Sequence, residues 1–174
     1  MRNGLILLVV SFLILGFFLF ASASPETLPQ NMPALRLSHL ESCSELNISG
    51  AYYALKRDIL FNSGTVCINI TAPRVTLDCR DRTILGSTEG IGIYSNQNDT
   101  TLRNCTVSFE GTSLSRGIVI SNAARPRVSN VRVFDCGKEG IHLHAVHSAV
   151  ILNPRVEECQ IGLRLTEVLS SRFS

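Results

Sequence analysis

A four-residue unit, glycine followed by apolar residues in alternation, recurs along the second half of the chain. It reads GIGI at residues 90–93, GIVI at 117–120, GIHL at 140–143 and GLRL at 162–165. The copies begin 27, 23 and 22 residues apart. Alternation is typical of a strand with one buried face, because neighbouring side chains point to opposite sides. The regular spacing indicates that the same strand is built once in each turn of a repeating structure.

Two further apolar units complete each period. The second unit reads VTLDC at 75–79, TTLRN at 100–104, PRVSN at 126–130 and AVILN at 149–153. A third apolar position, at Val107, Val133 or Val156, lies three residues beyond each asparagine. Three short strands in a period of 22–27 residues predict an all-β fold. We expect a single-stranded parallel β-helix of about four coils over residues 43–174.

The residues between the units predict the corners of the solenoid. Asparagine tolerates the left-handed conformation of a sharp bend, and stacked amides can hydrogen-bond as a ladder. We therefore expect Asn104, Asn130 and Asn153 to form such a ladder. The glycine that opens each first unit is expected to serve a bend as well. Residues 51–62 are expected to cap the N-terminal end of the solenoid.

The N-terminus has the pattern of an export signal. Residues 5–21 (LILLVVSFLILGFFLFA) are almost entirely apolar, follow the basic Arg2 and run into a small-residue site ending at Ala23. This pattern predicts a secretory signal at 1–23, with an uncleaved anchor helix as the alternative. The membrane would then be contacted only through residues 5–21. Residues 24–42 are interpreted as a linker, and the protein as secreted or displayed on the cell surface.

The last residues resemble the beginning of another second unit. Residues 171–174 read SRFS, which places Phe173 in the position of Ile151. From the sequence we expect the chain to be truncated, or a fragment of a longer solenoid.

Six cysteines follow the signal, and an even number in an exported chain indicates disulfides. Cys136 and Cys159 occupy equivalent positions of adjacent coils, which makes them stacked neighbours and the favoured pair. Cys43 and Cys67 are 24 residues apart, the length of one coil, and the third proposed pair is 79 with 105, although these two are out of register by one position. Free stacked thiols are the alternative, since direct stacking constrains the bond geometry. Four sequons predict glycosylation sites at Asn47, Asn69, Asn98 and Asn104.

Residues 64–86 resemble a known group of proteins. The segments GTVCINIT at 64–71, VTLDC at 75–79 and TILG at 83–86 look like the first coil of exported right-handed parallel β-helix repeat proteins. That group is similar to the NosD-like, carbohydrate-binding and sugar-hydrolase β-helix families and, more distantly, to pectate lyases. The resemblance covers about residues 43–174. It implies fold and export, but not activity, because the repeat encodes the solenoid itself.

Two acidic clusters are the candidates for catalysis. They are DCRDR at 78–82, and Asp135 with Glu139, Glu157 and Glu158. Glycoside hydrolysis needs two carboxylates facing each other across a defined gap. The stretch after Leu77 reads as a turn, so we expect Asp78 and Asp81 to be turn residues rather than catalytic ones. A polysaccharide lyase or glycoside hydrolase, complete only in a longer chain, is the alternative to a non-enzymatic role.

The histidines form one local metal-ligand pattern. In a strand whose Leu143 faces inward, His142 and His144 share the outer face about 7 Å apart, which suits two imidazoles binding one Zn²⁺ or Cu²⁺ ion. His147 lies past the bend. The NosD-like resemblance implies copper handling and supports this reading. The alternative, which we prefer, is a solvated pair with no cofactor.

The outer face of the repeated strand and the overall charge indicate which kinds of partner the protein is expected to bind. Rows of stacked residues are expected there, namely Val119, His142 and Arg164 beside Ser121, His144 and Thr166. Such a row suits an anionic glycan or is simply a solvated face. A formal net charge of +2 with no basic stripe argues against a nucleic-acid partner. We expect a structural or binding module that contacts polysaccharide or other cell-envelope components.

Overall fold

The computed structural model describes residues 37–87, 89–110 and 114–174. The predicted signal at 1–23 and residues 24–36 of the predicted linker lie outside these residues. The described part of the chain holds no helix with the length and apolarity that a membrane span requires.

The described residues form short strands separated by turns. The strands are β1 (Leu37–Leu40), β2 (Ser44–Leu46), β3 (Tyr52–Leu55), β4 (Ile59–Phe61), β5 (Val66–Ile70), β6 (Thr76–Asp78), β7 (Thr83–Gly86), β8 (Ile91–Ser95), β9 (Thr101–Arg103), β10 (Thr106–Phe109), β11 (Arg116–Ala124), β12 (Arg127–Ser129), β13 (Arg132–Phe134), β14 (Glu139–His147), β15 (Val150–Leu152), β16 (Arg155–Glu157), β17 (Ile161–Thr166) and β18 (Arg172–Phe173).

Three parallel sheets form the walls of the solenoid. Sheet A has the order β1-β3-β6-β9-β12-β15-β18, sheet B β2-β5-β8-β11-β14-β17 and sheet C β4-β7-β10-β13-β16. The chain visits sheets B, A and C in turn, so each coil supplies one strand to every sheet. This arrangement confirms the predicted parallel β-helix, with Phe173 paired opposite Ile151 as expected.

The N-terminal boundary differs from the prediction. Residues 51–62, expected to form a cap, supply β3 and β4 to sheets A and C. Strand β1 falls within the predicted linker and pairs with β3. The solenoid therefore has about five turns rather than about four. The first turns lack the glycine unit on which the count depended, but their strands still supply buried apolar side chains to the core.

The core is a stack of apolar side chains in register. Along sheet B, Ile68, Ile93, Ile118 and Ile141 pair in succession, and each is fully buried. Burying one such side chain contributes about 1.5–3 kcal/mol to stability. Because each coil repeats the same inward positions, this gain accumulates along the axis and holds the polar corners in place.

Of the four glycines that open a unit, Gly90 has a φ of 153° and agrees with the predicted bend, whereas the later three do not. Gly117 and Gly140 do not have positive φ, so they do not act as left-handed bends. A Cβ at Gly117 would overlap the side chain of Val133 and the backbone oxygen of Gly140. Glycine is needed because sheet C and the next coil approach too closely for a side chain. In the first copy Gly92 holds this position, since Ile93 pairs with Ile118.

Three disulfides join adjacent coils. They link Cys43 to Cys67, Cys79 to Cys105 and Cys136 to Cys159, with Cα–Cα distances of 4.5, 4.7 and 4.6 Å. These are the three predicted pairs, including Cys79 with Cys105, which the sequence pattern places one position out of register. No free cysteine is present among the described residues.

Candidate functional site

The corner between sheets A and C is built around stacked asparagines. Asn104, Asn130 and Asn153 follow β9, β12 and β15, with φ values of 53, 52 and 51°. The Nδ2 atom of Asn130 donates to Oδ1 of Asn104 at 3.3 Å, and Nδ2 of Asn153 donates to Oδ1 of Asn130 at 3.2 Å. The predicted amide ladder is therefore present, and each step joins one coil to the next.

Asp78 ends the ladder at its N-terminal side. Its Oδ1 accepts from Nδ2 of Asn104 at 3.1 Å and its Oδ2 from the Tyr52 hydroxyl at 2.6 Å and Nε of Arg103 at 2.9 Å. Burial by itself would raise the pKa of this carboxyl. The hydrogen bonds from Tyr52, the Arg80 amide and Asn104, with the charge of Arg103, outweigh it and hold the pKa below its ordinary value.

Only one of the two expected turn residues lies in the turn itself. Asp81 has a φ of 60° and belongs to the turn, whereas Asp78 is the last residue of β6 and is buried. The carboxylate of Asp78 still supports the turn, because it accepts a hydrogen bond from the backbone N–H of Arg80 at 2.9 Å. With its oxygens occupied in this way, Asp78 serves the structure of the corner.

A groove of about 640 Å³ runs along this corner. We call it the corner groove, and it is lined by Asp81, Asn104, Thr106, Asn130, Val131, Arg132, Asn153, Pro154 and Arg155. Arg132 and Arg155 pair in register on sheet C, one coil apart, and both are exposed. The groove thus presents amides on one side and guanidinium groups on the other. A smaller depression of about 260 Å³ lies beyond the two arginines and includes Phe134 and Glu157.

The outer face of sheet B carries the predicted rows. Val119, His142 and Arg164 pair in succession, and so do Ser121, His144 and Thr166. Tyr94 extends the first row by pairing with Val119, and its hydroxyl lies 3.0 Å from the Ser121 hydroxyl.

A buried carboxylate holds this face together. The side chain of Glu139 is only 4% exposed and forms ion pairs of 2.8 Å with Nε of Arg116 and Nη1 of Arg164. Burial alone would raise the pKa of Glu139, but the hydrogen bonds from the two arginines outweigh it and lower the pKa. The two arginines of this face are thereby ion-paired within the fold through one shared carboxylate.

The two histidines meet beside this cluster. The rings of His142 and His144 have centroids 6.2 Å apart, and Nε2 of His142 is buried without a hydrogen-bond partner among the described residues. Burial is the main cause that lowers the pKa of His142. Glu139 opposes the shift, whereas Arg164, Arg116 and His144 add to it. The surroundings of His142 therefore disfavour the protonated form of its imidazole.

Few side chains beside His142 and His144 are available as ligands for a metal ion. Zinc sites in proteins use three or four protein ligands, and Glu139 is already held by two arginines. No group of three or more His, Cys, Asp and Glu side chains suited to a metal occurs in the described ranges. Metal binding by His142 and His144 stays a prediction that rests on two imidazoles. His147 lies past a residue of positive φ, Ala145, at the end of β14.

A comparison with protein families agrees with this architecture. A family model described as the right-handed beta helix region matches residues 44–171. The chain belongs to the right-handed β-helix family. Searches of curated proteins and of solved structures gave no match. Membership of the β-helix family supports a structural or binding module in general terms.

The second acidic cluster is divided in this β-helix. Asp135 and Glu158 follow β13 and β16 at equivalent turn positions, with φ values of 57 and 53°. A hydrogen bond with Asp135, together with its negative charge, raises the pKa of Glu158. Glu139 is held apart by its arginines, and Glu157 pairs in register with Phe134. The enzymatic alternative stays a prediction.

The four sequons lie in different settings. Asn47 is exposed in the turn after β2, while Asn69 is half-buried within β5. Oδ1 of Asn98 accepts from the Ala124 amide at 2.8 Å, and Asn104 belongs to the ladder. Of the four, Asn47 is the side chain that combines exposure with no hydrogen bond among the described residues.

Sequence reasoning missed two groups of functional interest. Arg116 and Glu139 each stand directly before the glycine of a unit, and Arg132 and Arg155 directly before a third-unit valine. Reading the residue ahead of each repeat would have revealed both pairs as stacked neighbours. The hydrogen bond from Tyr52 to Asp78 could not be found in this way, because the first turns lack the repeat unit.

Proposed function

We propose that this protein is a secreted or cell-surface β-helix module that binds carbohydrate of the cell envelope through the corner groove. The observation that carries the proposal is the groove itself, a polar channel of about 640 Å³ that extends over successive coils. A repeating ligand is suited to a repeating surface, since the same groups recur about every 4.8 Å along the solenoid.

The chemistry of the lining suits sugar hydroxyls. An amide offers both donors and an acceptor, and a hydroxyl can do either, so Asn153 and Thr106 can match groups that donate and accept. The described residues that line the groove include no aromatic ring, so recognition would depend on hydrogen bonds rather than on ring stacking. Because the ladder holds the side chains in place, little entropy is lost when a ligand binds.

The proposed location rests on the disulfides and on the N-terminal sequence. Three disulfides are consistent with an extracytoplasmic location, since thiols stay reduced in most cytosols. The apolar run at residues 5–21, which follows a basic start, supports export.

A glycan-binding experiment tests the proposal. The full chain would be applied to a panel of cell-envelope polysaccharides, with wild type compared with T106A and with T166A. Both threonines are half-buried strand residues, but only Thr106 lines the groove. We expect T106A to bind a panel member several-fold more weakly and T166A to match wild type. Failure of every polysaccharide to bind would refute the proposal.

A second candidate function is metal handling by His142 and His144. It is favoured by the neighbouring rings and by the unpartnered Nε2 of His142. Calorimetric titration with Zn²⁺ and with Cu²⁺ tests it directly. The candidate requires saturable binding that is lost in H142A/H144A and kept in H39A, and it fails if wild type and H142A/H144A take up metal equally.

A further inference from the structure

The corner groove contains two stacked arginines that form no ion pair with any described carboxylate. Arg132 and Arg155 pair in register, and adjacent strands of a sheet lie about 4.8 Å apart. Like charges directly opposite each other on neighbouring strands are unfavourable. A fold that places them there leaves an electrostatic cost that an external anion can remove.

Several other arginines of the solenoid are ion-paired with carboxylates. Ion pairs of 2.7–2.9 Å involve Arg103, Arg116, Arg125 and Arg164. None of the ion pairs found among the described residues includes Arg132 or Arg155. Glu157 borders the smaller depression beside Arg155 without pairing with it. The two guanidinium groups therefore keep their full donor capacity.

The ladder adds further donors to the same groove. The Asn130 amide uses one N–H and its oxygen within the ladder, so its second N–H stays available for a ligand. The one carboxylate among the described lining residues is Asp81. The groove is thus rich in donors and carries a net positive charge.

From this placement, and resting on the proposed function, we infer that the ligand of the corner groove is an acidic glycan whose carboxylate or sulfate groups bind Arg132 and Arg155. A linear polymer that carries charge along its length can contact both arginines and also the asparagines that continue the groove over successive coils. Guanidinium groups bind such oxyanions with paired, charge-assisted hydrogen bonds.

The chain offers a matched control for the two arginines. Arg127 and Arg172 are also exposed and without an ion pair among the described residues, but they lie on sheet A with Val150 between them and outside the groove. R132A/R155A and R127A/R172A therefore remove the same charge from two different surfaces. A difference between them reports on the groove rather than on net charge.

The test measures the binding of the full chain to four probes by biolayer interferometry in about 0.15 M salt, where long-range attraction is largely screened. The probes are polygalacturonate, dextran sulfate, unmodified dextran and duplex DNA. We expect one or both acidic glycans to bind, with affinity falling at least about tenfold in R132A/R155A and less than twofold in R127A/R172A. The two acidic probes tell carboxylate from sulfate recognition.

The other possible outcomes each contradict the acidic-glycan proposal, and one of them also contradicts carbohydrate binding. Equal binding of dextran and of the acidic glycans, unchanged in R132A/R155A, would reject the acidic ligand and leave carbohydrate binding intact. Binding of no glycan would remove both proposals. Binding of DNA as tightly as the glycans, with the same loss in R132A/R155A, would show a general polyanion surface and reject the glycan class.

Discussion

The outer face of sheet B and the corner groove each carry two arginines from different coils, but the two pairs differ in whether a carboxylate lies between them. On sheet B, Arg116 and Arg164 lie on either side of the buried Glu139, at 2.8 Å each. In the corner groove, Arg132 and Arg155 lie side by side without an acid between them. One pair is part of the fold, and the other is left for a partner.

This difference shows how a repeat can carry both structure and function. A charge neutralised internally adds to stability and offers little to a ligand, since its donors are already used. An unpaired charge adds nothing to stability and can bind. Substitutions in the two regions should therefore affect different properties: stability at sheet B and ligand binding in the groove.

The largest expected effect comes from removing the charge of Glu139. E139Q would leave Arg116 and Arg164 facing each other, and we expect the free energy of unfolding to fall by about 2–3 kcal/mol. The arginines are half-exposed, so solvent limits the loss. Urea denaturation measures it, with E157Q, an exposed carboxylate of β16, as the control. Equal midpoints for the two variants would contradict the structural role of Glu139.

A smaller loss is expected when the ladder is interrupted. N130G keeps the positive φ but removes one donated and one accepted hydrogen bond, which should lower the free energy of unfolding by about 1 kcal/mol. Ser170 also has positive φ, at 49°, and lies outside the ladder. S170G is therefore the matched control in the same denaturation experiment. The ladder contributes nothing measurable if N130G and S170G behave alike.

As the pH falls, the outer face of sheet B should lose its contribution to stability before the corner between sheets A and C does. The pKa of His142 is lowered in the folded protein from an ordinary value of 6.5, so the unfolded chain binds the proton first and stability falls as pH drops below about 6.5. Glu139 and Asp78 also have lowered pKa values, so their contributions are full above 4.5 and 3.8 and are lost as pH falls further, through the folded values.

The contribution of His142 can be isolated by substitution. H142Q should unfold with a flatter dependence on pH than wild type between pH 7 and 5, and with the same dependence above pH 7. Thermal melts across this range provide the measurement. Parallel curves for the two proteins would show that His142 titrates normally.

The smallest expected effect on stability is in the groove. R132A should change the free energy of unfolding by no more than about 0.5 kcal/mol, because the side chain is exposed and has no ion-pair partner among the described residues. The same denaturation assay measures it beside E139Q. A loss comparable to that of E139Q would mean that Arg132 has a structural partner, and the contrast between the two regions would disappear.

The repeat could be predicted because each of its units is a short pattern that can be recognised in the sequence. Alternation around Ile118 and Ile141 indicated strands, and the recurring asparagines indicated stacked corners; the register pairs and the ladder agree with both. The Cys136–Cys159 partners followed from the same equivalence of positions, and Cys43–Cys67 from a spacing of one coil. The later three glycines were misread, since a sequence cannot show how closely Val133 approaches Gly117.

The candidate sites depended on distances that the repeat leaves open. His142 and His144 were found from their spacing, but their neighbour Glu139 and its two arginines come from three different coils. Asp78 was expected to be a turn residue, and only packing shows that Tyr52 and Arg103 converge on its carboxylate.

The sequence by itself determined the β-helix, its corners and its cross-coil disulfides, because a parallel solenoid places equivalent residues one above another at a constant spacing. The tertiary structure alone decided which charges are neutralised and which are free. That outcome depends on side chains of different strands reaching the same point. Glu139 lies between two arginines, whereas Arg132 has no ion-pair partner among the described acids. The sequence does not show this difference, since each residue directly precedes a repeated unit.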